Sequence, residues 1–336
     1  MDHAANSIAP RLTVALFLSL ILLATSADAK AQQRAASPSE DRDRGIQLYQ
    51  KGEIAAAIKV LEKVTKNHTD DSDAWYFLGL AYNSEGAIVS GRAAFERLLR
   101  LRPAVDRLAD VQAKLAYAYI LANELQNATA MARRAIELNN QAAEPHYAIA
   151  EANLRIGEFK TALQEAEIAL ELKHDFAPAL ITKSLAHYSM KQYAEAATAL
   201  EKYLAIKSTD ADGDLWREQL VQLRDREPAN SVEGVSSALN VPVTGRDITV
   251  KARVLSKPEP TYTEAARKAG VTGTVVIRAV FSSEGEIRNL IVTRALSYGL
   301  TSKAVQAARR IRFVPATKEG KPVSMWIQLE YNFNLY

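Results

Sequence analysis

The chain has 336 residues, 48% of them hydrophobic and 24% charged, which is ordinary for globular protein and long enough for two cores. This composition excludes a chain that is disordered throughout, and the absence of cysteine excludes disulfides, thiol catalysis and a lipid-bearing N-terminal cysteine. Residues 246–336 carry 15 Lys and Arg against 7 Asp and Glu, whereas residues 41–245 carry 24 against 29. Opposite net charges favour either contact between the two parts or a different partner for each.

The N-terminal segment has the pattern of an export signal. Arg11 precedes an apolar run over residues 12–24, and small residues follow at Ala27, Ala29 and Ala31. The run has signal-peptide length and is short for a membrane span of about 20 residues. We therefore predict a signal peptide or signal anchor over residues 1–31 and a periplasmic location. Cleavage is the favoured interpretation, and retention as an inner-membrane anchor is the alternative.

Residues 38–210 contain an internal repeat with a period of 34 residues. Its clearest unit carries a signature of large and small side chains at Trp75, Tyr76, Leu78, Gly79, Tyr82, Phe95 and Pro103. The units fall at 38–71, 72–105, 109–142, 143–176 and 177–210. Small residues recur at matched positions, namely Gly45, Gly79, Ala116, Ala150 and Ser184 in the first helices and Ala57, Gly91, Ala128, Ala162 and Ala196 in the second. The pattern resembles the tetratricopeptide repeat (TPR), which implies an all-α superhelix of closely packed helix pairs.

A TPR array must stack its units and end in a solvated cap, because one helix pair cannot bury its own apolar stripe. We predict that cap as an amphipathic helix over residues 212–225, so that the solenoid spans residues 38–225. The resemblance implies a concave groove that binds peptides or other envelope proteins. The groove candidates are polar side chains of the first helices: Tyr119, Asn123, Asn153, Arg155, His187 and Lys191. The alternative is that they are solvated or packing positions.

Residues 226–250 are rich in Pro, Gly, Ser and Asn, a composition typical of a linker. As a flexible coil it would bridge roughly 25 to 30 Å. It is not a long proline-rich spacer. If reach across the periplasm is needed, the solenoid must supply it, and five helix pairs at about 10 Å per layer give about 50 Å or more.

The remaining residues alternate in the manner of strands. Val275, Ile277, Ala279 and Phe281 face one side, a turn follows at Gly285, and residues 287–293 return as the second strand of a hairpin. Residues after Ser302 have helical spacing, with Arg309, Arg310 and Arg312 in the last turn and Pro315 as the stop. A long strand follows from Val323 to Phe333. We predict an α+β domain with two helices on a three-stranded antiparallel sheet.

A series of landmarks gives this domain a resemblance: Pro260, Tyr262, Ala265, Arg267, Gly270, Gly273, Arg310, Phe313, Pro315, Ala316, Gly320 and Pro322. Over residues 251–336 they resemble the C-terminal domain of the TonB family of energy transducers. Where that family has proline after the tyrosine, this chain has Thr263, which we expect to act as a helix N-cap.

The resemblance implies that the domain pairs with a peptide segment of an outer-membrane receptor and transmits force from proton-driven motor proteins of the inner membrane. An edge strand with unpaired backbone groups suits such capture. The positions carried over as peptide-contacting are Glu259, Pro260, Tyr262, Ile327, Gln328, Leu329, Glu330 and Tyr331. The alternative is that Tyr262 and Tyr331 are core or rim aromatics.

Catalytic and metal sites have little support in the sequence. The five histidines lack metal-ligand spacing, and no nucleotide-binding or nucleophile motif occurs. Asp210, Asp212 and Asp214 resemble a calcium loop, but its twelfth position is Val221, so a helix N-cap explains them better. We expect no enzyme activity, no cofactor, no metal and no nucleic-acid partner. The cations Arg309, Arg310, Arg312, Lys318 and Lys321 are of the kind that attract an anionic surface such as lipid headgroups or cell-wall polymer.

Two functions fit these expectations. The first is a periplasmic TonB-like protein whose TPR scaffold presents a peptide-capturing domain for energised transport across the outer membrane. The second is a periplasmic TPR scaffold or assembly protein without motor coupling. A retained anchor favours the first function, and a cleaved N-terminus with partners bound chiefly by the solenoid favours the second.

Overall fold

The computed structural model describes residues 38–103, 105–207, 212–231, 242 and 248–335. The predicted signal segment at 1–31 and most of the predicted linker at 226–250 lie outside these ranges. Within the described ranges, the chain has no helix with the length and apolar character to cross a membrane. It folds as a helical superhelix followed by a small α+β domain, which confirms the predicted fold class.

Ten helices of the described chain form five successive pairs, and an eleventh closes the array. The pairs are α1 Pro38–Gln50 with α2 Ile54–Asn67, α3 Ser72–Ser84 with α4 Ile88–Arg100, α5 Val105–Leu121 with α6 Leu125–Leu138, α7 Ala143–Ile156 with α8 Phe159–Leu172, and α9 Ala177–Ser189 with α10 Tyr193–Ile206. The closing helix α11 spans Gly213–Ser231. It continues beyond the predicted end at 225.

The small residues of the repeat lie where paired helices touch. A Cβ atom on Gly79 of α3 would lie 2.6 Å from the ring of Phe95 in α4. The same construction at Gly45 of α1 meets Leu61 of α2 at 2.7 Å. Both Phe95 and Leu61 are fully buried, so a larger residue has no room. This confirms that close helix approach requires the small residues.

The C-terminal domain is built on a three-stranded antiparallel sheet with the order β3-β2-β7. These strands are β2 Gly273–Phe281, β3 Ile287–Arg294 and β7 Met325–Phe333. Two helices accompany them, α12 Glu264–Ala269 and α13 Leu300–Ala308. Four short strands form two further ribbons, in which β1 Arg253–Ser256 pairs with β4 Arg312–Val314 and β5 Ala316–Lys318 pairs with β6 Lys321–Val323.

Thr263 and Gly285 have the predicted local roles. The Thr263 hydroxyl accepts a hydrogen bond from the Ala266 N–H at 3.1 Å, so Thr263 is the N-cap of α12. Gly285 has φ of +87° in the turn between β2 and β3, a conformation that glycine adopts without strain. The predicted hairpin is therefore confirmed.

Two boundary predictions in this domain are wrong. Helix α13 ends at Ala308, so Arg312 lies outside it and Pro315 is not its stop. Residues Arg312–Val314 form β4, because their backbone pairs with β1, and this non-local pairing overrides the local helical spacing. The long final strand is also divided, with Lys321–Val323 paired to β5 and Met325–Phe333 paired to β2.

One continuous hydrophobic cluster joins the solenoid to the C-terminal domain. It includes Leu121 and Leu154 from the first helices and Ile277 and Leu296 from the domain, all of them buried. The α+β domain is therefore packed on the solenoid. The expectation that the solenoid acts as an extended spacer of about 50 Å is not supported, since the domain lies against its flank.

Candidate functional site

Strand β7 forms one edge of the central sheet. Its nine residues pair with β2 from Met325↔Phe281 to Phe333↔Gly273, and no other described strand pairs with it. The opposite edge is β3, which contacts helices α9 and α11 of the solenoid. The sheet therefore turns one edge toward the solenoid and the other, β7, away from it.

The backbone groups of alternate β7 residues point away from β2. On β2, the Val276 carbonyl accepts from the Thr293 hydroxyl of β3 at 3.3 Å, so the backbone of Val276 faces β3. Backbone groups alternate between the two sides of a strand, so the backbones of Val275 and Ile277 face β7. On β7, the backbone groups of their partners Tyr331 and Leu329 therefore face β2. The backbone groups of Gln328 and Glu330 face away from β2, at the free edge of the sheet.

The side chains of the predicted peptide-contacting residues on β7 also alternate, between buried and exposed positions. Leu329 is 5% exposed and Tyr331 is 1% exposed, so both belong to the core. Gln328 and Glu330 are exposed, and Ile327 is half-buried. A peptide added along β7 would therefore contact the backbone of the outward residues together with the side chains of Ile327, Gln328 and Glu330.

A lysine already occupies part of this edge. Lys257 Nζ donates to the Glu330 carbonyl oxygen at 2.7 Å and lies 4.6 Å from the centroid of the Tyr331 ring. Its side chain is supplied by the extended segment after β1. Natural sheets place lysine at edges because its charge discourages further strand pairing. A peptide that adds to β7 must displace the Lys257 ammonium from the carbonyl.

The three predicted positions before α12 have unequal roles. Tyr262 packs edge-on against Phe333 with ring centroids 5.5 Å apart, and its hydroxyl donates to the Val271 carbonyl. Glu259 is exposed and Pro260 is half-buried. Burial raises the pKa of Tyr331 to about 12, and the nearby Glu259 carboxylate adds to that increase. Tyr262 thus supports the end of β7, and Glu259 is available at the surface.

The six groove candidates mostly serve the chain itself. Arg155 is 8% exposed and donates to Glu151 Oε1 at 2.8 Å and to the Ile120 carbonyl at 2.9 Å. His187 is 7% exposed, with Nδ1 2.8 Å from Gln192 Oε1. Asn123 accepts from Arg155 at 3.3 Å, Asn153 donates to the Ile149 carbonyl at 2.8 Å, and Tyr119 donates to Glu96 at 2.9 Å. Lys191 is exposed, at the turn that follows α9.

Backbone and side-chain hydrogen bonds hold the C-terminal domain on the solenoid. The Thr272 N–H and hydroxyl donate to the carbonyls of Leu121 and Ala122, each at 2.8 Å. The Arg294 guanidinium donates to the Arg155 carbonyl at 2.7 Å. The first helices end at these residues, so their free carbonyls are satisfied by the domain.

Helix α11 covers the β3 edge. Gln219 Oε1 accepts from the Val292 N–H at 2.9 Å, while Gln219 Nε2 donates to the Val292 carbonyl at 3.2 Å. One turn later, Gln222 Nε2 donates to the Leu290 carbonyl at 3.2 Å. This contact is not among the features predicted from the sequence, although two glutamines three residues apart on one helix face are the signal that could have indicated it.

Ion pairs across the interface follow the charge asymmetry of the sequence. Lys268 Nζ lies 3.0 Å from Glu85 Oε1 of the solenoid, and Arg309 pairs with Glu218 of α11. The side chains of both pairs are 44–47% exposed, so the pairs contribute little to stability. Of the two outcomes that the opposite charges left open, contact between the parts is the one found.

A cleft of about 750 Å³ remains between the two parts. Solenoid side chains such as Tyr117, Tyr147 and Trp216 line one side, and Leu296 and Tyr298 of the domain line the other. Burial raises the pKa of Tyr117, and its contact with Tyr298 adds to the increase. The solenoid side chains that line this cleft therefore face the chain's own C-terminal domain.

Family comparisons agree with both resemblances. Residues 258–335 match the family described as the C-terminal of the Gram-negative bacterial TonB protein. Residues 42–106 and residues 177–210 match tetratricopeptide repeat families. The predicted combination of a TPR array with a TonB-type C-terminal domain is therefore confirmed. Both families are non-catalytic scaffold or transducer domains that act through protein–protein interactions.

Solved structures with similarity to the chain are TPR proteins. YrrB, described as a TPR protein with an unusual peptide-binding site, is 18% identical with a TM-score of 0.44, covering 58% of this chain and 97% of YrrB. MamA is 21% identical with a TM-score of 0.43, covering 59% and 98%. A thermophilic TPR protein of Thermus thermophilus is 22% identical with a TM-score of 0.42, covering 56% and 99%. No curated protein matches the chain.

Proposed function

We propose that the chain is an exported envelope protein whose C-terminal domain captures an extended peptide by strand addition to β7. The observation that carries this proposal is the nine-residue β7 edge, which pairs on one side only among the described strands. Strand addition provides affinity through backbone hydrogen bonds and specificity through alternate side chains. The exposed Gln328 and Glu330 supply the side-chain contacts.

The peptide belongs to an outer-membrane receptor in this proposal, and the chain contributes to energised transport across that membrane. The match of residues 258–335 to the TonB C-terminal family supports this function. Proton-driven motor proteins of the inner membrane are the corresponding source of force. Neither part of the chain performs chemistry or binds a cofactor in this function.

One observation favours the second candidate function, a periplasmic scaffold or assembly protein without motor coupling. The α+β domain is fixed to the solenoid by Gln219, Thr272 and Arg294, so it is not carried at the end of a long tether. A transducer that must reach across the periplasm needs such a tether. In this second function the solenoid binds other envelope proteins, and β7 docks to one of them.

Photo-crosslinking in intact cells distinguishes the two functions. A photoreactive residue at Gln328 tests the β7 edge, and one at Lys160 on α8 tests the solenoid. One at Arg288, an exposed residue of β3 at the other edge of the sheet, is the control. Capture of an outer-membrane receptor from position 328 alone supports transport. Capture from position 160 alone supports the scaffold. Equal capture from positions 328 and 288 would contradict strand addition to β7.

The processing of the N-terminus gives a second test. Export is supported by Arg11 and the apolar run at 12–24. Sequencing of the mature protein decides whether residues 1–31 are retained. A retained segment supports motor coupling, because force requires an inner-membrane anchor, and removal of the segment supports the scaffold.

A further inference from the structure

The two short ribbons of the C-terminal domain carry an unusual concentration of exposed aliphatic side chains. Leu255 is 53% exposed, Val254 and Val314 are each 42% exposed, and Val250 is 58% exposed. They lie on β1, on β4 and at Val250, which forms an isolated bridge to Thr317 of β5. Exposed aliphatic side chains that cluster in this way mark a surface of interaction.

Five cations lie on or beside the same two ribbons. Lys251, Arg253 and Arg312 lie on or beside the β1–β4 ribbon, and Lys318 pairs directly opposite Lys321 in the β5–β6 ribbon. All five are exposed, and in the described part of the chain none forms an ion pair. Other cations of the domain differ, since Lys268 and Arg309 are paired with the solenoid. We call these five cations, together with Val250, Leu255 and Val314, the ribbon surface; Val254 is left out because it pairs with the buried Phe313 on the other face of the β1–β4 ribbon.

Strand register places charge and aliphatic carbon on one face. Arg253 pairs with Val314 and Ser256 pairs with Arg312, so the four side chains share a face of the β1–β4 ribbon. All four are exposed, whereas Phe313 on the other face is buried. Leu255 lies at the bulge between Val254 and Ser256 and is also exposed. The face therefore presents guanidinium groups next to exposed aliphatic side chains.

This combination distinguishes a lipid surface from other polyanions. A nucleic acid or an acidic cell-wall polymer would bind the five cations but would leave Leu255 and Val314 in water. The interface of an anionic bilayer accepts both, because its phosphates attract Lys and Arg while aliphatic side chains enter the boundary with the acyl chains. We propose that the ribbon surface docks the C-terminal domain onto an anionic lipid bilayer.

The docking has a consequence for the rest of the domain. Lys257 at the β7 edge follows directly after β1, and Arg310 precedes β4, so the ribbon surface adjoins the edge where Lys257 contacts Glu330. A bilayer contacted by β1 and β4 would lie beside the β7 edge.

A fluorescent label at position 255 tests the proposal in the full chain. The chain has no cysteine, so Leu255→Cys creates a single attachment point for a polarity-sensitive dye. Leu138→Cys is the matched control, since Leu138 is 43% exposed at the end of α6 in the solenoid. Vesicles of phosphatidylcholine, with or without phosphatidylglycerol, are then added to each labelled protein. We expect a blue shift at position 255, but not at position 138, and only with the anionic vesicles.

Charge reversal supplies the second arm of the test. Arg253→Glu combined with Arg312→Glu should raise the lipid concentration for half-maximal shift at least tenfold, because each basic residue contributes about fivefold to binding of an anionic surface. Arg133→Glu with Arg134→Glu on the exposed face of α6 alters the net charge equally and should leave the curve unchanged. High salt should also weaken the shift.

Several results would overturn the proposal. One is a shift of equal size at positions 255 and 138, which would indicate anchoring by another part of the chain. Another is a shift that survives the Arg253→Glu and Arg312→Glu changes. A third is an equal shift at position 255 with heparin in place of vesicles, which would assign the ribbon surface to soluble polyanions.

Discussion

Gln219 of the solenoid hydrogen-bonds both backbone polar groups of Val292 in β3, accepting from its N–H at 2.9 Å and donating to its carbonyl at 3.2 Å. The Gln219 amide thus makes the two hydrogen bonds to Val292 that the backbone of a neighbouring strand would otherwise make. Unpaired strand edges attract further strands, and proteins cover them to prevent this. The solenoid covers β3 in this way, which leaves β7 as the edge for a partner.

Replacing Gln219 with alanine should loosen the two parts. Gln219 is 1% exposed, so its loss leaves the Val292 N–H and carbonyl buried without their partner, at a cost of about 1–3 kcal/mol in unfolding free energy. Chemical denaturation measures the change. Gln328→Ala on the exposed side of β7 is the control and should change stability by less than about 0.5 kcal/mol. Equal effects of the two changes would contradict the role of Gln219.

Gly79→Ala should destabilise the second helix pair. The added Cβ would lie 2.6 Å from the Phe95 ring, and overpacking of this kind costs about 1–3 kcal/mol. Thermal unfolding of the variant measures the loss. The double variant with Phe95→Leu should lose less than the sum of the two single changes, because the smaller side chain gives the methyl group space. Additive losses would show that Phe95 is not the neighbour that matters.

Lys257→Ala should strengthen peptide capture at β7. It frees the Glu330 carbonyl, so an added strand no longer competes with the Lys257 hydrogen bond, and we expect about fivefold more crosslinking from position 328. Lys160→Ala, at an exposed position of α8, is the control for the loss of one positive charge. Crosslinking that falls after Lys257→Ala would instead make this lysine part of the peptide contact.

Tyr331→Phe should leave the free energy of unfolding at neutral pH unchanged or raise it by about 1 kcal/mol. The reason is that the buried Tyr331 hydroxyl has no hydrogen-bond partner among the described residues. Tyr119→Phe is the matched contrast. The Tyr119 hydroxyl donates to Glu96 at 2.9 Å, so its removal should destabilise the solenoid. Denaturation of both variants at pH 7 measures the difference. A larger loss at Tyr331 than at Tyr119 would contradict this assignment.

The same substitution predicts a pH dependence. Burial raises the pKa of Tyr331 to about 12, above the value of about 10 in an unfolded chain. The folded protein therefore keeps this proton where the unfolded chain releases it, and stability falls as the pH rises from about 10 to about 12. Tyr331→Phe lacks this contribution and should lose less stability over that window. Parallel stability curves for the two proteins would exclude a role for Tyr331 ionisation.

Periodic elements could be predicted from the sequence because local patterns encode them. The 34-residue repeat located the helix pairs through residues such as Gly79 and Phe95, and strict alternation located β2 and most of β7. The prediction of helix up to Arg312 was wrong because the conformation of Arg312–Val314 depends on pairing with β1, about 60 residues earlier. Local spacing cannot contain that information.

The candidate site was predictable only in outline. A long terminal strand indicated an edge, but whether a lysine covers it depends on the path of the segment after β1. The packing of the C-terminal domain on the solenoid could not be predicted from the sequence. Gln219 and Arg294 have no distinguishing sequence pattern, and only the fold brings them to Val292 and to the Arg155 carbonyl. The charge asymmetry alone left contact and separation equally open.

The covered β3 edge has a mechanical consequence. A guest strand pulled along β7 would load β2 and then β3 across the sheet, through ladders of many backbone hydrogen bonds. The load would pass next into the solenoid through Gln219 and Gln222 of α11, through Thr272 and Arg294, and through the shared hydrophobic cluster. Because these contacts reach several helices, traction on the guest should be distributed over the superhelix. The domain and the solenoid would then move together under load.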